Sequence, residues 1–227
     1  MKTYLTGIVL TVLIAAAGCA NASDDLTSSD ETGTHSVNGS IHVPADKKNG
    51  SVSTVNGSIH VDDGATLADA QTVNGDIHVG ARVTADALGS VNGAVTLGTG
   101  SKVAKGIKTV NGSVTLTDNS QVEGAIGTVN GKIVLASAHV GDGISTVNSD
   151  INIGSNSRVE GGILVKKPSG HFNWNMGEPR IVISPGAIVQ GKLTFEHAVR
   201  LYVSERATIG PVSGATAIKF SGDSPPG

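Results

Sequence analysis

The sequence predicts an all-β chain wound as a single-stranded parallel β-helix, a β-solenoid of about 18 residues per coil. Three observations carry that prediction: a tripeptide repeating at a fixed interval, a finer apolar rhythm inside each interval, and a shortage of aromatic rings. Val-Asn-Gly recurs with its asparagine at Asn38, Asn56, Asn74, Asn92, Asn111 and Asn130, and Val147-Asn148-Ser149 is a seventh copy. The asparagines are separated by 18, 18, 18, 19, 19 and 18 residues, a regularity that chance does not produce. Of the 227 residues only six are Phe, Tyr or Trp, and from Leu5 to His171 there is none. A compact core filled by aromatic rings is therefore excluded for most of the chain.

Each element follows from the finer rhythm. Apolar residues step by about six through Val55, Val61, Leu67, Val73 and Val79, then Val91, Leu97 and Val103. Most have a small or apolar residue two positions earlier, the period-two signature of a short strand with both side chains on one face. The motif extends to V-N-G-x-[IV]-x-[VIL] and then to an [AS]-x-[VL] block, as in Ala65-Thr66-Leu67, Ala81-Arg82-Val83 and Ser101-Lys102-Val103. Three short strands per repeat make a triangular coil, and like residues stack into ladders along the axis. The Val-Asn-Gly corner is expected to use the ease with which Asn and Gly adopt positive φ. Stacked asparagine amides are expected to hydrogen-bond from coil to coil at a buried corner, which makes this ladder structural.

The repeat occupies 35–165. An insertion at 166–180 interrupts it and carries Phe172 and Trp174. The rhythm returns over 181–220 through Ile181-Val182-Ile183, Leu193-Thr194-Phe195 and Leu201-Tyr202-Val203, so the same solenoid is expected to continue. Residues 221–227 (SGDSPPG) read as a frayed tail.

The amino terminus has the layout of an export signal over 1–22: Lys2, an apolar run from Ile8 to Ala17, then small residues. The run is too short for a comfortable membrane span. Cys19, the sole cysteine, follows Ala16-Ala17-Gly18, which resembles a bacterial lipobox with alanine where leucine is usual. That resemblance implies lipidation at Cys19 and a membrane partner through a lipid anchor. With Ala20 in place of the aspartate of inner-membrane retention, it implies an outer-membrane lipoprotein, periplasmic or surface-facing. Ala20-Asn21-Ala22 offers ordinary cleavage instead, giving a secreted or periplasmic soluble chain. Residues 23–34 are polar and acidic and read as a flexible tether. A lone cysteine excludes a disulfide framework within the chain. A net charge of −3 with sixteen scattered Lys and Arg argues against nucleic acid as a partner.

The stretch Ile181 to Leu193 (IVISPGAIVQGKL), followed by Ala207 to Gly214 (ATIGPVSG), resembles the bactofilin or polymer-forming cytoskeletal repeat. The upstream V-N-G-S-I-H-V coils resemble the β-strand repeats of uncharacterised bacterial adhesin-like families. Bactofilins are right-handed β-helices that polymerise end to end in the cytoplasm, so the resemblance implies a right-handed helix and self-association through the end coils. Right-handed crossovers are also the general preference. A six-residue period with small residues is equally the mark of left-handed hexapeptide helices, which stays open as the alternative. The export signal and the long asparagine section depart from bactofilins and favour a cell-envelope structural or adhesin-like module over a cytoskeletal one.

Candidate chemistry is sparse. Glu123 and Glu160 share a column two coils apart, Asp76 and Asp150 stand four coils apart, and Asp62-Asp63 faces Gly80 and Ala81. No aligned strand column pairs two acids for calcium or acid–base work. His171 imitates an acyltransferase histidine without a coenzyme motif around it. The expectation is a non-enzyme without a cofactor. His42, His60 and His78 occupy one outward position of successive coils, a candidate metal strip for zinc or copper. The same column reads Thr96, Thr115, Val134 and Asn152 further on, so an ordinary solvated strand is the competing reading. Phe172 and Trp174 are candidate contacts for a glycan or protein, and a polysaccharide-binding or processing helix is the third functional reading. The insertion is alternatively a flap or an end cap.

Overall fold

The structure, a computed structural model, describes residues 26–27, 33–45, 48–168 and 177–226. Cys19, His171, Phe172 and Trp174 lie outside the described residues, so the lipidation and aromatic-contact expectations do too. Among the described residues every regular element is a strand. Eleven of them form the first face, in the order Leu26–Thr27, Ile41–Val43, Ile59–Val61, Ile77–Val79, Val95–Leu97, Val114–Leu116, Ile133–Leu135, Ile151–Ile153, Arg180–Ile183, Arg200–Ser204 and Ala217–Phe220. Spatial order equals chain order and every pairing is parallel, which defines a β-solenoid. Ten steps at the strand spacing give an axis of about 48 Å.

The interior is built from stacked aliphatic columns. Ile41, Ile59, Ile77, Val95, Val114, Ile133, Ile151, Ile181 and Leu201 are all 0% exposed and follow one another in register. Val52, Ala70, Leu88, Ile107, Ile126, Ile144, Ile163 and Leu193 form a second column on another face. Neither column contains a ring. The strands after the insertion extend the same sheets, with Ile181 on Ile151 and Phe195 on Val165. The segment expected as a tether contributes Leu26–Thr27, which pairs with Ile41 and His42. The tail also touches the body: Arg206 binds Asp223 at 2.7 Å and Arg180 donates to the Pro226 carbonyl.

The Val-Asn-Gly corner is built differently from its sequence expectation. Val55, Val73 and Val91 are only half-buried, and the inward place belongs to the residue before each, Thr54, Thr72 and Ser90. Each hydroxyl donates to a glycine carbonyl of the preceding coil: Thr54 to Gly39 at 2.9 Å, Thr72 to Gly57 at 2.9 Å and Ser90 to Gly75 at 3.1 Å. This is the buried polar ladder of the corner, and it satisfies carbonyls that water does not reach. It ends at the seventh copy. There Thr146 Oγ1 and Ser149 Oγ lack a hydrogen-bond partner, and the column continues as Val165 and Phe195.

Four motif glycines answer to space, not to φ, and Gly131 answers to both, with a φ of 145°. Gly57, Gly75, Gly93 and Gly112 do not have positive φ, but a Cβ on any of them would overlap the carbonyl of the motif glycine one coil back. A recurrent left-handed position marks another corner, at Gly64, Arg82, Gly100, Asn119, Ser137, Asn156 and Gly186, one residue per coil with φ between 47° and 75°. Arg82 therefore turns the corner. The strand block of that coil is Val83-Thr84-Ala85, not Ala81-Arg82-Val83: Thr84 pairs with Thr66 and Lys102, and Ala85 with Leu67 and Val103.

One irregularity changes the cross-section. Thr66–Asn74 and Thr84–Asn92 run unbroken across the corner between the second and third faces. In the next coil the register shifts between Val103 and Gly106, so that Ala104 and Lys105 oppose Asp86 alone. This β-bulge supplies the extra residue of the first 19-residue interval. Beyond it the long strand is replaced by two short ones, such as Gln121–Val122 and Ala125–Gly127.

Three substitutions test this packing by thermal or denaturant melting. Gly93→Ala is expected to lose about 1–3 kcal/mol by overpacking against the Gly75 backbone, whereas Gly177→Ala, with nothing within 4 Å, leaves the melt unchanged. Ser137→Gly is expected to gain about 0.5–1 kcal/mol, since the left-handed conformation is costly for a side chain with a Cβ and glycine's extra chain entropy offsets part of the relief.

Candidate functional site

The asparagine column forms a continuous ladder on the surface. Nδ2 of Asn56 donates to Oδ1 of Asn38 at 2.9 Å, and the same bond joins Asn74 to Asn56, Asn92 to Asn74, Asn111 to Asn92 and Asn130 to Asn111 at 2.9–3.0 Å. Asn148 follows, its backbone N–H bonded to the Val129 carbonyl at 2.9 Å. Coil-to-coil amide bonding thus matches expectation. The location does not: Asn38 to Asn130 are exposed, and the buried polar role has passed to the Thr/Ser ladder beside them. The physical reason is the strand alternation, which sends Thr72 inward and leaves Val73 and Asn74 at the outer edge of the turn.

His42, His60 and His78 do stand in one outward column of the first face, paired in register. Their rings are 5.9 Å apart for His42 and His60 and 6.4 Å apart for His60 and His78. The three imidazoles do not share one centre. Asp62 receives His42 Nε2 at 2.8 Å on Oδ2 and has His60 Nε2 at 3.9 Å from Oδ1. His78 turns instead toward Asp76, with Nε2 at 3.9 Å from Oδ2. Asp76 is itself fixed, accepting from the Ala94 N–H at 2.7 Å. Among the described residues no three His, Cys, Asp or Glu side chains already form a group set to hold a metal ion. The column continues through Thr96, Thr115, Val134, Asn152, Val182 and Tyr202 to Ile218, so the first face passes from titratable to apolar along the rod. Arg180 lies over the Tyr202 ring at 5.0 Å.

A second charged group was hidden from column alignment. Asp69 and Asp86 sit on successive coils, offset by one position because Asp69 pairs with Ala87. The bulge aims Lys105 of the third coil at both, with Nζ 2.9 Å from Asp86 Oδ2 and 3.9 Å from Asp69 Oδ1. The hydrogen bond to Asp86, and then the charge of Asp69, hold the Lys105 ammonium above its ordinary range. The sequence signal was the first 19-residue interval, which announces an inserted residue without saying where it lies. Two depressions are lined entirely by described residues. A depression of 160 Å³ lies along the left-handed corner between Asn119, Ser137, His139, Asn156 and Arg158, and one of 70 Å³ between Lys132, Asp150, Asn152 and Arg180.

No protein-family model, curated protein or solved structure matches this chain. What stands on its own geometry is the architecture: a strand-repeat β-solenoid of stacked parallel coils.

The Lys105 cluster has a pH signature with a definite sign. A lysine whose folded pKa is raised contributes stability fully below its unfolded value and loses it as pH rises through the folded one. Lys105→Met should therefore lower the melting temperature slightly at pH 8 and converge with the wild type as pH rises beyond the ordinary lysine range. High salt should shrink the difference, because the ammonium is exposed.

Proposed function

We propose that the chain is a non-catalytic, exported β-solenoid that serves the bacterial cell envelope as a lipid-anchored structural or adhesin-like rod. The observation that carries this reading is the unbroken register of the ladders, which run through coil after coil and make one stiff body with flat, repeating faces. Such a body performs by geometry, holding its surface at a fixed distance from an anchor. The asparagine ladder itself is exposed from Asn38 to Asn130, suited to a solvated exterior that displays rather than encloses. The leader-like segment and Cys19 supply the anchor in this reading, and the resemblance of the repeats to adhesin-like families supplies the context.

A second reading, an exported bactofilin-like scaffold that assembles through its end coils, draws on one observation. In the coil closed by Ala217–Phe220 the inward columns are incompletely covered: Ile209, Val212 and Ala217 are only partly buried. Strand edges in such a coil invite pairing with another chain.

Light scattering over a concentration series, with negative-stain imaging of the same samples, separates the two. The rod reading predicts a constant monomer mass and particles about 5 nm long; filaments that grow with concentration would replace it with the scaffold reading. In cells, Cys19→Ser should abolish incorporation of labelled palmitate and release the protein from the membrane fraction. Wild-type protein that is soluble and unlabelled would remove the anchor and support cleavage after Ala22.

A further inference from the structure

We propose that His42, His60 and Asp62 form a binding site for a divalent transition metal of the zinc class on the first face of the early coils. The register is the starting point. His42 and His60 are directly paired on adjacent parallel strands, so the backbone holds their side chains at neighbouring positions on one face. Asp62 lies two residues after His60, just beyond the strand Ile59–Val61, where the chain begins to turn. Its carboxylate faces both rings.

Both rings turn a nitrogen toward the same carboxylate. With bonds of 2.0–2.2 Å in a tetrahedral site, neighbouring ligand atoms stand about 3.3 Å apart. The two contacts to the Asp62 carboxylate bracket that value, at 2.8 Å from His42 Nε2 and 3.9 Å from His60 Nε2. Side-chain rotations that bring both Nε2 atoms to that separation from one Asp62 oxygen, and from each other, would admit an ion at the bond lengths of zinc sites. The groups have room for this adjustment, because the side chains of His42, His60 and Asp62 are 47%, 66% and 35% exposed. Two imidazoles and a carboxylate are a donor set for zinc, copper or nickel and not for the hard cations calcium and magnesium. Solvent completes the shell, as the exposure of all three groups requires.

His78 marks the boundary of the site. It continues the column but leans to Asp76, whose other oxygen is held by the Ala94 N–H, so it belongs to a separate pair. His139 is a suitable contrast elsewhere on the rod: its carboxylate partner Glu160 is shared with Arg158, which sets a fixed positive charge where a metal would sit.

The test is calorimetric titration of the purified chain with zinc chloride, on a Cys19→Ser background so that the thiol does not compete. The expected result is one equivalent of zinc per chain and a rise in melting temperature. Affinity should fall by about tenfold or more in His60→Asn and in Asp62→Asn, which each remove one of three ligands. In His78→Asn and His139→Asn it should stay within about twofold of the wild type. Metal-free melts of every variant separate loss of a ligand from loss of fold. Should His60→Asn disturb folding, Asp62→Asn, beyond the strand, gives the answer alone. Absence of stoichiometric uptake by the parent chain overturns the proposal, as does unchanged affinity in Asp62→Asn. Equal losses in His78→Asn and His60→Asn overturn the assigned donor set.

Discussion

The spacing of parallel strands, about 4.8 Å from one coil to the next, is the constraint on which the rest of this molecule depends. A chain that winds back onto itself at that distance brings residues one coil apart into contact at every position. Each column must therefore hold side chains that tolerate a near-copy of themselves above and below. Aliphatic residues meet the requirement inside, where Ile59 stacks between Ile41 and Ile77. Asparagine meets it at the rim, since its amide is both donor and acceptor and one ladder bond uses one of each. Glycine meets it where the backbones themselves approach too closely for a Cβ, as at Gly75 and Gly93.

The Thr/Ser ladder adds a second consequence. The same close approach that demands glycine leaves the glycine carbonyls turned inward, away from solvent. An inward hydroxyl from the following coil accounts for them, as Thr72 does for the Gly57 carbonyl. The four-residue unit Thr/Ser-Val-Asn-Gly is thus one device in which hydroxyl, amide and absent side chain act together. Its disappearance after Ser149 coincides with the replacement of the hydroxyl column by Val165 and Phe195, and with the return of aromatic residues to the interior.

The fold was legible in the sequence because a repeat forces every coil to report the same answer. The interval between asparagines located the ladders, and alternation located His42, His60 and His78 on an outward face. What stayed hidden is local and lies between columns. The inward place of Thr72 stayed hidden because the apolar rhythm runs through its neighbour Val73, yet strand phase rather than hydrophobicity decides which side chain points in. Arg82 and Ser137 gave no sign of a left-handed corner, since neither residue type favours positive φ and tertiary pairing imposes it. The Asp69–Asp86–Lys105 group was invisible for a similar reason: Asp69 and Asp86 stand one position out of register and a bulge displaces Lys105, so residues that touch do not align. The division of the histidine strip at His78 depends on which carboxylate each ring meets, and that is set by the turns, not the repeat.

For function, the decisive property is rigidity at constant rise. A displayed rod and a filament-forming scaffold both require it, and a metal bound across two early coils would stitch them without altering the pitch. The most direct measurement is a molecular ruler by spin-label distances on a Cys19→Ser background, with cysteine pairs placed in one exposed column. Thr66, Arg158 and Thr208 belong to such a column through successive pairings. The account predicts narrow distributions, near 24 Å for Thr66 with Arg158 and near 34 Å for Thr66 with Thr208, at about 4.8 Å per coil. Broad distributions, or a second distance no longer than the first, would contradict a single continuous solenoid.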